Sequence, residues 1–218
     1  DIPLIDCEDV VFVGKATGKV GRYAYIKSLE RSNINFSSYG SSSSNEIVSR
    51  EKMYSLFRSA KVSLNFTGVS LTTPLDSDIT INRRIRGVKG RCQEIALCGG
   101  FVLTEYAPGI EKLFDIGGEI DTFDSISEMK EKINYYLKNP SIRKKMSKKA
   151  YLRAINEYSD VNVWNKIGKY ISSQEKKRKK DIYVDEIFYR SYSAYQYSRM
   201  ISLLFKLKIP TFVKDFAL

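Results

Sequence analysis

The residues best suited to chemistry lie in one short segment, Gly87-Val88-Lys89-Gly90-Arg91-Cys92-Gln93-Glu94. Two glycines let the backbone approach a ligand closely, and the helix predicted to follow offers unpaired N–H groups. Lys89 and Arg91 add positive charge, so the segment suits a pyrophosphate. Glu94, one turn into the helix, could accept hydrogen bonds from two vicinal hydroxyls, as a ribose presents them. The alternative is that these are solvated surface charges and that Glu94 only complements the helix dipole.

The surrounding sequence predicts a helix start beside a strand end, which would position these residues. Along residues 1–173, short apolar runs alternate with segments of helical period, which predicts a Rossmann-like α/β domain with about five parallel strands and helices on both faces. The predicted strands are Val10–Val13, Ile34–Ser37, Lys61–Phe66, Phe101–Thr104 and Glu119–Phe123. Ligands of open parallel sheets bind at the carboxyl ends of the strands. That edge would hold Gly14-Lys15, residues 68–90, Thr104-Glu105-Tyr106 and Pro108-Gly109.

The helices are predicted from apolar residues at helical spacing and from their end signals. Ser49 is expected to cap one helix, and Ser125 with Glu128 forms a capping box for another. Asn139-Pro140 should end that helix and start the next. The residues expected to face the core are Tyr23, Ile26 and Leu29; Met53, Leu56, Phe57 and Ala60; Ile126, Met129, Ile133 and Leu137; and Ile142, Met146 and Ala150.

The composition excludes several protein classes and favours an anionic partner. The 218 residues include 36 basic and 25 acidic side chains, a net charge of +11, which indicates nucleic acid, anionic lipid or a phosphorylated small molecule. Because the chain has no histidine, it cannot build a histidine-based zinc or acid–base site alone. Its three cysteines are too few for a disulfide framework. The loop Gly14–Arg22 matches neither G-x-G-x-x-G nor the P-loop pattern, which argues against NAD binding and ATP hydrolysis.

The segment around Glu94 also resembles a known family. Residues Lys89–Tyr106, with Pro108–Glu111, are similar to the K-G-R-x-x-E-x-x-x-C-G-G-F-x-L-T-E block of group 1 glycosyltransferases of the spore-maturation type, which have the GT-B fold. The similarity extends upstream through Lys61–Phe66 to Phe12-Val13-Gly14, and downstream to about Trp164.

The resemblance implies the C-terminal, donor-binding half of a GT-B enzyme, which transfers a sugar from a UDP or GDP sugar without a metal or other cofactor. By matching position, Glu94 would hold the ribose hydroxyls, while Lys89 and Arg91 would neutralise the diphosphate leaving group. The other donor contacts that we expect are Gly14, Lys15, Arg22 and Gly90 near the diphosphate, and Thr104, Glu105, Pro108 and Gly109 near the sugar.

Two departures from the family pattern bear on function. Many relatives have a second glutamate eight residues before the ribose glutamate, where this chain has Arg86. A carboxylate expected for sugar recognition is therefore missing. The acceptor-binding N-terminal domain, where these enzymes usually keep a catalytic base, has no counterpart in the sequence. The catalytic residues are therefore left unassigned, and we expect a partner to supply the missing N-terminal acceptor domain.

Residues 174–218 are predicted to form a basic linker, Lys176–Lys180, and a helical, tyrosine-rich appendage. The appendage could cross to the other GT-B domain, lie on an anionic membrane or pack on itself behind a solvated linker. Two other functions remain open for the chain: a charge-driven module for nucleic acid or membrane surfaces, and an inactive glycosyltransferase-like scaffold. We expect a cytoplasmic protein, with peripheral membrane attachment as an alternative, and no nucleic-acid partner.

Overall fold

A five-stranded parallel sheet forms the centre of the computed structural model, which describes residues 8–16, 21–68 and 86–173. The strand order is β2-β1-β3-β4-β5. The strands are β1 (Val10–Val13), β2 (Phe36–Tyr39), β3 (Val62–Asn65), β4 (Val102–Glu105) and β5 (Asp121–Phe123). All four neighbouring pairs are parallel, and the predicted fold class is therefore confirmed.

Six helices are present in the described residues, and the first five cover both faces of the sheet. They are α1 (Arg22–Glu30), α2 (Arg50–Ser59), α3 (Arg91–Leu97), α4 (Ile126–Lys138), α5 (Pro140–Tyr158) and α6 (Asp160–Ser173), with a 3-10 helix at Ile110–Lys112. Every residue of β1, β3 and β4 is buried, because these inner strands carry a helix layer on each face. One core cluster joins Phe12 and Phe66 to α1 and α4. The other joins Val11 and Val102 to α2, α3 and α5.

The predicted helix ends are confirmed at three places. Ser49 accepts a hydrogen bond from the Lys52 N–H at 3.2 Å, and Ser125 accepts one from the Glu128 N–H at 3.1 Å. The Glu128 carboxylate reaches back to the Asp124 N–H at 2.8 Å, one residue before the cap. Helix α4 ends at Lys138 and α5 begins at Pro140, so Asn139 separates the two helices as predicted.

Two residues predicted to face the core are exposed, and an arginine explains each error. Tyr23 is 51% exposed, because α1 turns Arg22, Tyr25, Ile26 and Leu29 inward. These four residues follow the i, i+3, i+4, i+7 pattern of a single helix face.

The second error lies in α5. Ile142 is 41% exposed, whereas its neighbour Arg143 is buried beside Met146 and Ala150. The Arg143 guanidinium donates to the Tyr136 carbonyl at 2.6 Å, so its charge is satisfied at the C-terminal end of α4. A hydrophobic pattern cannot reveal a core position that is occupied by a cation.

The second strand begins two residues later than predicted, at Phe36. It is an edge strand, and the serine-rich segment after it pairs with its outer edge. The Ser44 N–H and the Asn45 N–H donate to the side chain and the carbonyl of Ser38, at 3.0 and 2.9 Å. Hydrogen bonds from the chain's own loop therefore cover the exposed edge.

The chain consists of two compact units, Asp1–Gly168 and Lys169–Leu218. The first unit contains the sheet and its flanking helices. In the second unit, the described residues are 169–173, the last turn of α6. The predicted basic linker and appendage, 174–218, lie outside the described residues, so the boundary at residue 173 stays a prediction. No helix in the described ranges is both long enough and apolar enough to cross a membrane.

Candidate functional site

A cleft of about 370 Å³ opens where the strand order of the sheet reverses, between the carboxyl ends of β1 and β3. Chains leaving β1 and β3 cross to opposite sides there, which leaves a crevice that open α/β sheets use for ligands. The residues that line it are Phe12, Val13, Gly14, Lys15, Arg22, Asn65, Lys89, Gly90, Arg91 and Glu94.

Arg22 ties together the loops that leave β1 and β3. Its guanidinium is buried and donates to the carbonyls of Lys15 at 2.8 Å and Phe66 at 3.2 Å. The group also lies 5.5 Å from the centre of the Phe12 ring. Burial lowers the pKa of Arg22, and the Glu105 carboxylate partly offsets this effect. Its Nε is buried and has no hydrogen-bond partner within residues 8–16, 21–68 and 86–173. A fixed positive charge therefore lies at the base of the cleft.

Lys89 is also held by the segment that follows β3. Its ammonium donates to the carbonyls of Phe66 at 3.0 Å and Gly68 at 2.9 Å. Because two carbonyls fix the Nζ atom, the charge is positioned before a ligand arrives.

Arg91 and Glu94 form an ion pair on the first turn of α3, at the rim of the cleft. The Arg91 guanidinium donates to the Glu94 carboxylate at 2.5 Å and lies 5.5 Å from the centre of the Phe57 ring. The Glu94 side chain is 44% exposed, so its carboxylate remains accessible from the cleft. The pair orients the carboxylate and leaves the other N–H groups of a planar guanidinium able to face an anion.

Two glycines shape the cleft for different reasons. Gly40 has a φ of 126°, and a Cβ atom there would lie 2.6 Å from the Gly14 carbonyl oxygen. The fold itself therefore requires a glycine beside the loop that carries Lys15. Gly90, in contrast, has an ordinary φ of −57°, and a Cβ atom would meet no atom of the described residues within 4 Å. The fold would therefore accept a side chain at Gly90, and the absence of one leaves room in the cleft.

The floor of the cleft is Asn65, a buried polar residue that the sequence analysis did not select. Its amide donates to Thr104 Oγ1 at 2.9 Å and to Cys92 Sγ at 3.3 Å, so it joins β3, β4 and α3. Burial raises the pKa of the Cys92 thiol to about 11. The sequence signal that could have identified Asn65 as a site residue is an asparagine at the end of a buried strand.

Glu105 links the described residues on either side of positions 69–85, which lie outside the described ranges. Its buried carboxylate accepts hydrogen bonds from the N–H groups of Thr67 at 2.8 Å and Gly68 at 3.1 Å, and pairs with Arg86 Nε at 2.9 Å. Gly68 and Arg86 also form an antiparallel bridge. The arginine that replaces the expected second glutamate is thus the ionic partner of Glu105.

The structure brings together seven of the eleven predicted donor-site residues. Gly14, Lys15, Arg22, Lys89, Gly90, Arg91 and Glu94 line the cleft. Thr104, Glu105, Pro108 and Gly109 are not among its lining residues. Thr104 is buried under Asn65, and the Gly109 N–H donates to Glu111 at 3.1 Å. In the described ranges, no three Asp, Glu or Cys side chains are grouped to hold a metal ion.

Comparison with known proteins gives a family and a fold. A family model described as glycosyl transferase-like matches residues 22–168. The crystal structure of HepE from Anabaena in complex with UDP-glucose aligns with a TM-score of 0.59 and 13% identity, over 78% of this chain and 50% of that one. The same protein with UDP aligns with a TM-score of 0.55 and 14% identity, over 77% and 49%. The C-terminal domain of the Francisella tularensis group 1 glycosyl transferase LpcC aligns with a TM-score of 0.48 and 9% identity, over 69% and 86%.

These structural likenesses concern the fold alone, since the identities are low. The chain spans about half the length of HepE. No curated protein sequence matches it significantly.

Proposed function

Because this chain belongs to the glycosyl transferase-like family, we propose that it is the donor-binding half of a glycosyltransferase. Its substrate is a nucleoside-diphosphate sugar, bound in the cleft between β1 and β3. The observation that carries the proposal is the convergence of Lys15, Arg22, Lys89 and Arg91 on one cleft at the strand-order reversal. The solved structure of HepE contains UDP-glucose, a ligand of this class.

The cations of the cleft act on the diphosphate. When the sugar leaves, negative charge grows on the departing diphosphate, and fixed positive charges lower the energy of that transition state. Lys89 and Arg22 suit this role because backbone carbonyls already hold them, so little reorganisation is needed. Helix α3 has only seven residues, so we assign this stabilisation to the side chains and not to the helix dipole. Transfer without a metal is part of the proposal.

Glu94 acts on the ribose. Its exposed carboxylate can accept hydrogen bonds from two vicinal hydroxyls, and Arg91 keeps it oriented through their ion pair. A buried or partly buried hydrogen bond to a charged group contributes roughly 1.5–3 kcal/mol. We therefore expect that removal of the ribose hydroxyls clearly weakens binding of the donor.

Recognition of the sugar differs from that in relatives with two glutamates. Arg86 occupies the position of the second glutamate, and its Nε pairs with Glu105. A carboxylate is therefore not offered to the sugar from position 86. Thr104, Glu105, Pro108 and Gly109 remain our predicted sugar-side residues, close in sequence to the 3-10 helix.

Three finer statements belong to the same proposal. The K-G-R block and the C-G-G-F-V-L-T-E segment favour the spore-maturation type within the family. Since the chain spans about half of HepE, an acceptor-binding half completes the active site and contributes the catalytic base. The protein works in the cytoplasm, and an anionic membrane surface is a further partner for its basic residues.

Isothermal titration with UDP, GDP and their glucose and N-acetylglucosamine sugars tests the proposal. We expect binding of at least one at micromolar to millimolar concentration, weakened by Glu94→Ala with unchanged thermal stability. Glu131→Ala is the matched control, because Glu131 is a carboxylate of α4 outside the cleft that contacts Ser127. Failure of every nucleotide to bind at millimolar concentration contradicts the proposal. If the Glu94→Ala and Glu131→Ala variants bind the nucleotide with equal affinity, Glu94 does not bind the ribose.

A further inference from the structure

A second concave surface lies at the opposite edge of the sheet, where β3 and β4 begin. It is a groove of about 750 Å³ between the C-terminal end of α2, the end of α3 and one side of α5. Its lining includes Phe101, one residue before β4, and Lys61, one residue before β3. Because the donor cleft lies at the carboxyl ends of the strands, the two surfaces do not share a residue.

Among the described residues, five basic side chains and no acidic one line the groove. Two of the five are committed to the protein: Lys61 pairs with Asp9 at 2.5 Å, and Arg143 donates to the Tyr136 carbonyl. The other three, Arg58, Lys144 and Lys148, form no ion pair with any residue that the structure describes. Three cations from two helices therefore face one cavity without a matching carboxylate, which favours an anionic ligand.

The wall between these cations is apolar. Leu97, Phe101 and the ring of Tyr151 contribute to it, and Tyr151 is 38% exposed. A ligand that is only an anion would leave this wall in contact with water. A ligand with an apolar body would bury the wall and still place its charge at the rim, where Lys144 and Lys148 lie.

We propose that this groove binds a phosphate ester carried on an apolar chain, with the phosphate at Arg58, Lys144 and Lys148 and the chain along Leu97 and Tyr151. The ligand chemistry is shared by membrane phospholipids and by free lipid phosphates. Binding is independent of the donor cleft, so it holds or fails separately from the proposed function. Lys144 and Lys148 are not among the described residues that line that cleft.

Cys98 supplies a reporter inside the groove. Its thiol is half-buried among the lining residues, and its pKa is raised by burial and lowered by Arg58. Cys92 is fully buried with a pKa of about 11, so it reacts far more slowly. In a Cys7→Ser variant of the full chain, iodoacetamide at pH 8 should therefore modify Cys98 first. A ligand in the groove should block this reaction.

The probe is dihexanoyl phosphatidic acid below its micellar concentration. At about ten times its Kd, alkylation of Cys98 should slow about tenfold, since only the free protein reacts. Lys144→Gln with Lys148→Gln should weaken the probe about tenfold. Lys145→Gln with Lys149→Gln is the matched control, because it removes equal charge from exposed positions of the same helix outside the groove. The control should keep the affinity of the parent chain, and both variants should bind nucleotides as the parent does.

Sedimentation with phosphatidylcholine vesicles containing phosphatidylglycerol distinguishes the two sources. Vesicle binding that is lost only in the Lys144/Lys148 variant supports a membrane lipid, whereas protection by the soluble probe without vesicle binding supports a free lipid phosphate. Three results would overturn the proposal: equal losses in the two double variants, equal protection by inorganic phosphate at the same concentration, or equal protection by a short DNA duplex.

Discussion

The two edges of the sheet both collect positive charge, but they hold it differently. At the carboxyl edge, Arg22 and Lys89 are fixed by backbone carbonyls of the loops after β1 and β3. At the amino edge, Lys144 and Lys148 are exposed on α5 and make no ion pair in the described residues. Fixed cations contribute to folding and to a specific geometry, whereas exposed cations contribute mainly long-range attraction. The predictions below test this difference.

Arg22→Ala should have the largest effect. It removes a buried guanidinium, takes this donor from the Lys15 carbonyl, leaves the Phe66 carbonyl with Lys89 as its side-chain donor, and empties space beside Phe12. We expect a loss of about 3 kcal/mol in the free energy of unfolding and no measurable UDP binding. Urea denaturation followed by circular dichroism measures the first quantity. A variant as stable as the parent chain would mean that this cation is not fixed by the fold.

Removing one ribose hydroxyl should have the next largest effect. We expect 2′-deoxy-UDP to bind the parent chain about tenfold more weakly than UDP, because Glu94 loses one hydrogen bond. In Glu94→Gln, the two ligands should bind almost equally. Titration calorimetry of the four pairs gives the coupling between carboxylate and hydroxyl. An unchanged tenfold ratio in the variant would show that another group reads the ribose.

Substitution of Gly90 tests whether the room left by this glycine is needed for ligand binding or for folding. Gly90→Ala should change the free energy of unfolding by less than about 1 kcal/mol, since its φ is ordinary and, in the part of the chain that the structure describes, no atom lies within 4 Å of the added Cβ. UDP affinity should fall several-fold. Gly90→Ser, a better N-cap, should weaken UDP equally without loss of stability. Thermal melts with and without UDP measure both effects, and full UDP affinity in either variant would contradict this account.

The smallest effect is expected at the amino edge. Lys144→Gln with Lys148→Gln should change the free energy of unfolding by less than about 0.5 kcal/mol, because exposed lysines without an ion pair contribute little to stability. Urea denaturation in parallel with Arg22→Ala makes the comparison direct. A loss close to that of Arg22→Ala would abolish the distinction between the two edges.

Much of the fold could be predicted from the sequence because its signals are local. The runs Val10–Val13 and Val62–Asn65 are buried on both faces, and Ser49 and Ser125 cap the helices that follow them. The errors at Tyr23 and Ile142 arise where Arg22 and Arg143 occupy core positions. Their burial depends on carbonyl groups of other elements, which no local pattern reveals.

The site was predictable where its residues are adjacent in sequence. Lys89, Gly90, Arg91 and Glu94 lie within one segment and meet in the cleft as expected. Asn65 was missed because its role depends on the pairing of β3 with β4, which puts it opposite Thr104. For Thr104 and Glu105, contact with the donor stays a prediction. The hydrogen bonds that they make to Asn65, Thr67 and Gly68 likewise depend on which strands are neighbours.

The most direct test of the central claim is NMR mapping of UDP on the isotopically labelled chain. The account predicts that the largest amide shift changes occur at Gly14-Lys15 and at Lys89–Glu94, on both sides of the β1–β3 crevice. Residues Ser147–Tyr151, at the opposite edge, should remain unchanged. Shift changes concentrated at Ser147–Tyr151, or spread evenly over the basic surface, would contradict a nucleotide cleft at the carboxyl ends of the strands.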